Sequence, residues 1–377
     1  MMRPQFRWSH ERRRVLTALV LAALALVVVQ VVACTSRSGS GASKAPPPST
    51  LTGPAAIPLR QLAARRHLEI GTAVDDVALT SEADYRTVLA DQFSLIQPEN
   101  AMKWDATESQ PGHFDFSGGD RVVAVARQHG QAVMGGPLVW YFQDPPWVDG
   151  GNFSRDQAIA ALWDHIHGLV GHYRGVVRSW IVVNEALDDG GGSYRDNVWL
   201  RSIGPDYIAI AFRFAHEADP AAKLYLNDFD VQMPGPKTDR MIQMALGLKA
   251  QGVPILGLGS QFHVFRGITS IDFSKVSLQM RQVADAGLDY AVTEWDMGVA
   301  LPATPSDLAR QGRLAEDLLR ACVTAPRCPA FIVWGFTDRH SWIPSQTPGY
   351  GAATPYDEQL RPKPAWAGLA AALRAPG

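Results

Sequence analysis

Cysteine is scarce in this chain, with three among 377 residues. None of the three, at positions 34, 322 and 328, has histidine nearby at ligand spacing, so no metal site is expected. A phosphate-cradling P-loop is also missing, and glycines such as Gly190-Gly-Gly192 are too isolated to form one. There is no basic excess either. Outside residues 1–33, 30 basic residues face 36 acidic ones, a net charge of about −6 that offers nucleic acid no electrostatic footprint. No nucleic-acid partner is expected.

Residues 1–33 read as an export signal. Arg12-Arg-Arg14 is followed by an apolar run from Val15 to Val29 and then by Val31-Val-Ala-Cys34. That ending resembles a bacterial lipobox, which makes Cys34 the expected lipidation site and the membrane a partner through an N-terminal lipid anchor; an uncleaved membrane anchor is the alternative. Arg12-Arg-Arg-Val-Leu16 also resembles a twin-arginine signal, so the export route stays open. Residues 34–54 are rich in Ser, Gly, Ala and Pro and read as a flexible tether to a folded domain over residues 55–377. With Cys34 lipidated, Cys322 and Cys328 remain, close enough to close a short disulfide loop outside the cytoplasm.

Beyond the tether, strand-like runs alternate with helical spacing. The runs are Leu68–Val74, Ser94–Glu99, Ala132–Trp140, Ser179–Ala186, Lys223–Asp230, Ile255–His263, Asp289–Asp296 and Ala330–Asp338. Helical patterns between them include Arg121–His129, Gln157–Tyr173, Tyr207–Glu217 and Leu308–Cys322. Eight such repeats point to an α/β fold, a single (β/α)8 TIM barrel with its site at the C-terminal strand ends. A doubly wound open sheet is the alternative, but no Gly-rich fingerprint follows the first strand. His165, His167 and His172 lie in a helical stretch and read as surface residues.

Two carboxylates close apolar runs: Glu185 after Trp180-Ile-Val-Val-Asn184, and Glu294 after Tyr290-Ala-Val-Thr293. They lie 109 residues apart, or three strand–helix repeats of roughly 36 residues each. A retaining glycosidase needs such a pair about 5–5.5 Å apart, one attacking the anomeric carbon while the other protonates the leaving oxygen. Other strand runs also end in amides, acids and indoles, among them Asn227-Asp228, Gln261-Phe-His263 and part of the chain's eleven tryptophans. Gathered at one barrel face, these make a sugar-binding cleft.

Pro98-Glu-Asn-Ala-Met-Lys-Trp104, Trp180-Ile-Val-Val-Asn-Glu185, Gln261-Phe-His263, Thr293-Glu294 and Val333-Trp-Gly-Phe-Thr-Asp-Arg-His-Ser-Trp342 together resemble glycoside hydrolase family 10, the endo-β-1,4-xylanases. The resemblance runs from about Leu68 to Trp366. It implies a barrel that cuts xylan internally with retention; a monomer is expected, and no cofactor, since the reaction needs only two carboxylates and water. On these motifs Glu185 is the implied acid/base and Glu294 the implied nucleophile. Asn184 is expected at the sugar 2-OH, and His263 with Asp296 is expected to orient Glu294. Glu99, Asn100 and Lys103 are expected on the non-reducing side. Gln143, Trp334 and Trp342 are expected to wall the cleft, with Trp140 and Gln261 also contacting substrate.

Four positions depart from the family pattern. Within Gly135-Gly-Pro-Leu-Val-Trp-Tyr-Phe142, Gly136 and Tyr141 stand where family members carry histidines; Phe229 replaces a tyrosine and Trp295 a leucine. The expectation is a cleft reshaped around the sugar at the cleavage point, with space at Gly136 for a different or decorated sugar. Two further readings stay open: a retaining glycosidase acting on β-glucan or a bacterial envelope glycan, and a lipid-anchored protein that binds a glycan without cutting it.

Overall fold

The computed structural model describes residues 57–190, 192–264 and 271–375. The export signal, Cys34 and the tether lie outside the described residues. Among the described residues eleven strands occur: β1 (Glu69–Val74), β2 (Leu95–Pro98), β3 (Ala132–Gly135), β4 (Ser179–Asn184), β5 (Lys223–Asp228), β6 (Gly257–Ser260), β7 (His263–Val264), β8 (Asp289–Met297), β9 (Val299–Ala300), β10 (Ala330–Val333) and β11 (Tyr350–Gly351). Strands β1 to β6, β8 and β10 pair in parallel in chain order, and β10 pairs with both β8 and β1. The sheet therefore closes into the expected eight-stranded barrel, which rules out the open sheet. β7 lies along the end of β8, and β9 pairs with β11 outside the barrel.

Parallel strands covered on both faces must be apolar on both. Leu95, Met134, Ile181, Tyr225, Ala291, Ala330 and Ile332 point inward and fill the lower barrel. Their neighbours Ile96, Val133, Val182, Leu226, Val292 and Phe331 point outward under the helices. Local sequence fixes where helices start. Ser154 and Gln157 form a capping box for Arg155–His172, as Thr304 and Asp307 do for Pro305–Thr324. The Cys322–Cys328 disulfide is formed, with Cα atoms 5.3 Å apart, and ties that last helix to the segment entering β10.

One helix reading needs correction. His165 is buried, its Nδ1 3.0 Å from Glu108 and its ring stacked 3.7 Å from Trp104. It shares the inward stripe of Ala158, Leu162, Ile166 and Leu169, so helical periodicity carries it into the core. Trp104 is likewise a core side chain, stacked on Trp199 as well.

Candidate active site

Inward-facing residues alternate along each strand, so the apolar layer should become a polar layer two residues later. On β5, Tyr225 in the lower layer is followed by Asn227; on β8, Ala291 is followed by Thr293, whose hydroxyl donates to Asn227 Oδ1 at 2.7 Å. Strict alternation would turn Glu294 outward. The register between β8 and β10 shifts instead, with Val292 opposite Phe331 but Trp295 opposite Val333. This bulge lets both Thr293 and Glu294 reach Asn227. A second shift, between Ile181 and Val183 where β4 pairs with β5, sends Val182 and Val183 outward and returns Asn184 to the interior opposite Asn227. Bulges re-aim side chains beside active sites, and here each strand that carries a candidate carboxylate has one.

One network joins the two carboxylates. Asn227 Nδ2 donates to Glu294 Oε1 and to Asn184 Oδ1, both at 2.8 Å. Gln261 Nε2 donates to Glu185 Oε1 at 2.8 Å and to Asn184 Oδ1 at 3.3 Å; Asn184 Nδ2 adds a bond to Glu185 Oε1 at 3.1 Å. On the far side of Glu294, His263 Nε2 lies 3.4 Å from Oε2, while His263 Nδ1 lies 3.0 Å from Asp296. Trp342 Nε1 donates to the other Asp296 oxygen at 2.7 Å. Trp342 and Trp334 flank the His263 ring, with centroids 5.0 and 6.3 Å away. Glu185 and Phe262 both have positive φ, +55° and +62°, a costly region for residues with a Cβ and one that recurs at functional sites.

The electrostatics separate the groups. Burial pushes the Glu185 carboxyl up and the charge of Glu294 adds to this, while Gln261, Trp140 and Arg195 pull it back. Burial opposes charge on His263, but Asp296 and Glu294 outweigh it and lift the imidazole to about 10. His263 is therefore an imidazolium between two carboxylates at neutral pH.

Beside this centre lies the polar cluster carried by the segments after β2 and β3. Lys103 Nζ donates to Gln143 Oε1 at 2.6 Å and Asn100 Oδ1 at 3.0 Å, and sits 5.2 Å from the Trp140 ring centroid. Burial lowers the Lys103 ammonium, against the pull of Glu294 and Glu99. Burial raises Glu99 to about 7, with Lys103 opposing. Every expected site residue from Glu99 to Trp342 thus converges on one end of the barrel; Cys322 and Cys328 lie away from it, at the start of β10. Among the described residues, no group of three or more His, Cys, Asp or Glu side chains is arranged to hold a metal ion.

Two of the departures are set by packing. Gly136 admits no Cβ: its φ is +101°, and a Cβ there would meet the Ile181 carbonyl oxygen at 2.4 Å. The segment after β3 runs along β4, where Leu138 N–H donates to that same oxygen at 2.9 Å. Trp295 does not face the cleft at all. It is buried under the helices against Phe331, outward of the bulge. Tyr141 and Phe229 do belong to the site, and both rings pack against the guanidinium of Arg195. No local sequence pattern singles out Arg195, and Asn227 stands out in the sequence only as a strand-end amide, whereas in the fold it joins the two carboxylates.

Comparison with known proteins agrees with this geometry. The family model described as glycosyl hydrolase family 10 matches residues 58–372. Endo-1,4-beta-xylanase C of Phanerodontia chrysosporium is 40% identical over 312 residues, covering 82% of this chain and 77% of its own. Endo-1,4-beta-xylanase B of Thermotoga neapolitana is 36% identical, covering 82% of this chain and 90% of its own. The crystal structure of native xylanase 10B from Thermotoga maritima superimposes with a TM-score of 0.81 at 34% identity, covering 84% of this chain and 98% of that one. The chain belongs to glycosyl hydrolase family 10.

Proposed function

We propose that the protein is an exported endo-1,4-β-xylanase acting by double displacement, with Glu294 as nucleophile and Glu185 as acid/base. The observation that carries the reading is the hydrogen-bonded chain Glu185–Gln261–Asn184–Asn227–Glu294 at the C-terminal ends of four strands. Glu294, faced by the His263 imidazolium, attacks the anomeric carbon as Glu185 gives its proton to the departing glycosidic oxygen. The C–O bond breaks and a glycosyl ester on Glu294 forms. Glu185, now a carboxylate, takes a proton from the water that attacks the same carbon, and Glu294 leaves. Burial and the neighbouring Glu294 favour a protonated Glu185 at the start, as a general acid requires.

Asn184 is assigned to the sugar 2-OH, and Glu99, Asn100 and Lys103 to sugars on the non-reducing side, with Trp140 and Gln261 also contacting substrate. Gln143, Trp334 and Trp342 are assigned to wall the cleft and leave little room for a hydroxymethyl group, which favours xylose over glucose. Xylohexaose and cellohexaose, each incubated with the protein and separated over time, test this. Internal cuts of xylohexaose alone are expected; cuts confined to cellohexaose, or none in either, reject the xylanase assignment.

Residues 1–33 are proposed to direct export and Cys34 to carry a lipid, with residues 34–54 tethering a monomeric catalytic domain over residues 55–377. The basic triplet, the apolar run and Val31-Val-Ala-Cys34 support this. Cells fed a labelled fatty acid should label the native protein and not Cys34→Ala. An unlabelled native protein rejects the lipid anchor.

A further inference from the structure

Arg195 follows Glu185 by ten residues, and its side chain is 15% exposed. Four contacts hold it. Its Nε donates to the carbonyl of Glu185 at 3.2 Å, and Nη2 pairs with Asp189 at 2.6 Å. Its guanidinium carbon lies 4.5 Å from the Tyr141 ring centroid and 5.4 Å from that of Phe229. The Phe229 ring also carries Lys237 Nζ at 3.5 Å, and that ammonium pairs with Asp228 at 2.8 Å. Lys237, Phe229, Arg195 and Tyr141 thus form a column in which cations alternate with rings. Ring faces attract cations, and a planar guanidinium can lie flat on a ring while its edge donates elsewhere, which a lysine cannot reproduce. Tyr141 and Phe229 are two of the positions where this chain departs from its family.

We infer that Arg195 is a positioning residue for Glu185: the ring column and the bond to the Glu185 carbonyl fix the left-handed turn that aims the carboxyl at the leaving oxygen. The inference rests on Glu185 being the acid/base. Its charge has a second effect. The charged or titratable groups that face Glu185 are Lys103 after β2, Tyr141 after β3, Arg195 after β4, Asp228 on β5 and Glu294 on β8. Glu294 favours the protonated acid, whereas Arg195 favours its release. Removing the Arg195 charge therefore raises the pH at which Glu185 loses its proton.

The test compares kcat/KM, which reports the ester-forming step, on xylohexaose and on 2,4-dinitrophenyl β-xylobioside, whose leaving group needs no proton. Arg195→Met should lose about 10- to 100-fold on xylohexaose, part of what a general acid supplies. It should stay within about threefold on the dinitrophenyl substrate, because that step needs no acid. Its alkaline limb on xylohexaose should move to higher pH. Arg195→Lys keeps the charge and loses the flat contact, so it should lose rate on xylohexaose with the limb unmoved. Should Arg195→Met fail to fold, Phe229→Ala, which removes the ring between Arg195 and Lys237, should show the same dependence on leaving group; Tyr141 is unsuited because its hydroxyl bonds Glu185 directly. Equal losses on both substrates with an unmoved limb overturn the inference and leave Arg195 a purely structural role. Glu185→Ala separates the two readings: it should lose xylohexaose cleavage and keep the dinitrophenyl reaction. If it does not, the acid/base assignment itself fails, whatever Arg195 does.

Discussion

Restoring a side chain at Gly136 should damage the barrel rather than improve the enzyme. Two costs add in Gly136→Ala. A residue with a Cβ held at a φ of +101° stores about 1–3 kcal/mol of strain. The new Cβ also lies 2.4 Å from the Ile181 carbonyl oxygen, and overpacking of this kind costs about 1–3 kcal/mol. That oxygen cannot retreat freely, because it accepts the Leu138 N–H at 2.9 Å and belongs to the strand that ends in Glu185. The sum is about 2–6 kcal/mol, against a usual total stability of about 5–15 kcal/mol. Urea unfolding at constant slope should show the midpoint falling accordingly, and Gly136→His should fall at least as far. If Gly136→Ala unfolds within about 0.5 kcal/mol of the native chain, an ordinary surface change, the close contact between β3 and β4 is wrongly described.

Other consequences concern the polar layer. Asn227→Ala removes the donor to Glu294 and Asn184, and a bond to a charged group is worth about 1.5–3 kcal/mol. A loss of about 10- to 150-fold in kcat/KM on xylohexaose is expected, and a loss below about threefold contradicts it. His263 has a folded-state pKa of about 10, above its ordinary 6.5. Its ion pairs therefore stabilise the fold fully below pH 6.5, and the contribution is lost as pH rises towards 10. Unfolding across that window should show the decline in the native chain and a smaller one in His263→Asn; parallel curves refute the charge assignment. Glu99 is raised from 4.5 to about 7, so its burial costs stability increasingly between those pH values. Glu99→Gln should therefore be more stable than the native chain above pH 7 while cutting xylohexaose less efficiently, and equal stability there rejects the assignment.

Much of the barrel was legible because parallel strands covered on both faces must be apolar throughout. The runs that proved too long show what apolarity leaves out. Ala132–Trp140 ends as a strand at Gly135, because Gly136 turns the chain into positive φ. Ile255–His263 divides into β6 and β7, with Phe262 turning in the same way. Single-residue conformations of this kind depend on neighbouring strands. The carboxylates stood out because each closes an apolar run, yet the bulges that turn them inward are visible only in the register between strands. Asn227 links side chains from β4 and β8, and Arg195 meets rings at positions 141 and 229; no local pattern announces either. His165 was different. Its place on the apolar stripe of its own helix was readable from spacing, and counting that stripe would have found it.

The anomeric configuration of the first product bears most directly on the paired-carboxylate mechanism. Proton NMR during the first minutes of xylohexaose cleavage, before mutarotation, reads it without any mutation. Attack by Glu294 on one face, followed by water on the opposite face that the leaving group vacated, predicts that the β-anomer accumulates first and the α-anomer appears only as the mixture equilibrates. The α-anomer appearing first would mean that water attacks directly, and Glu294 would not be a nucleophile.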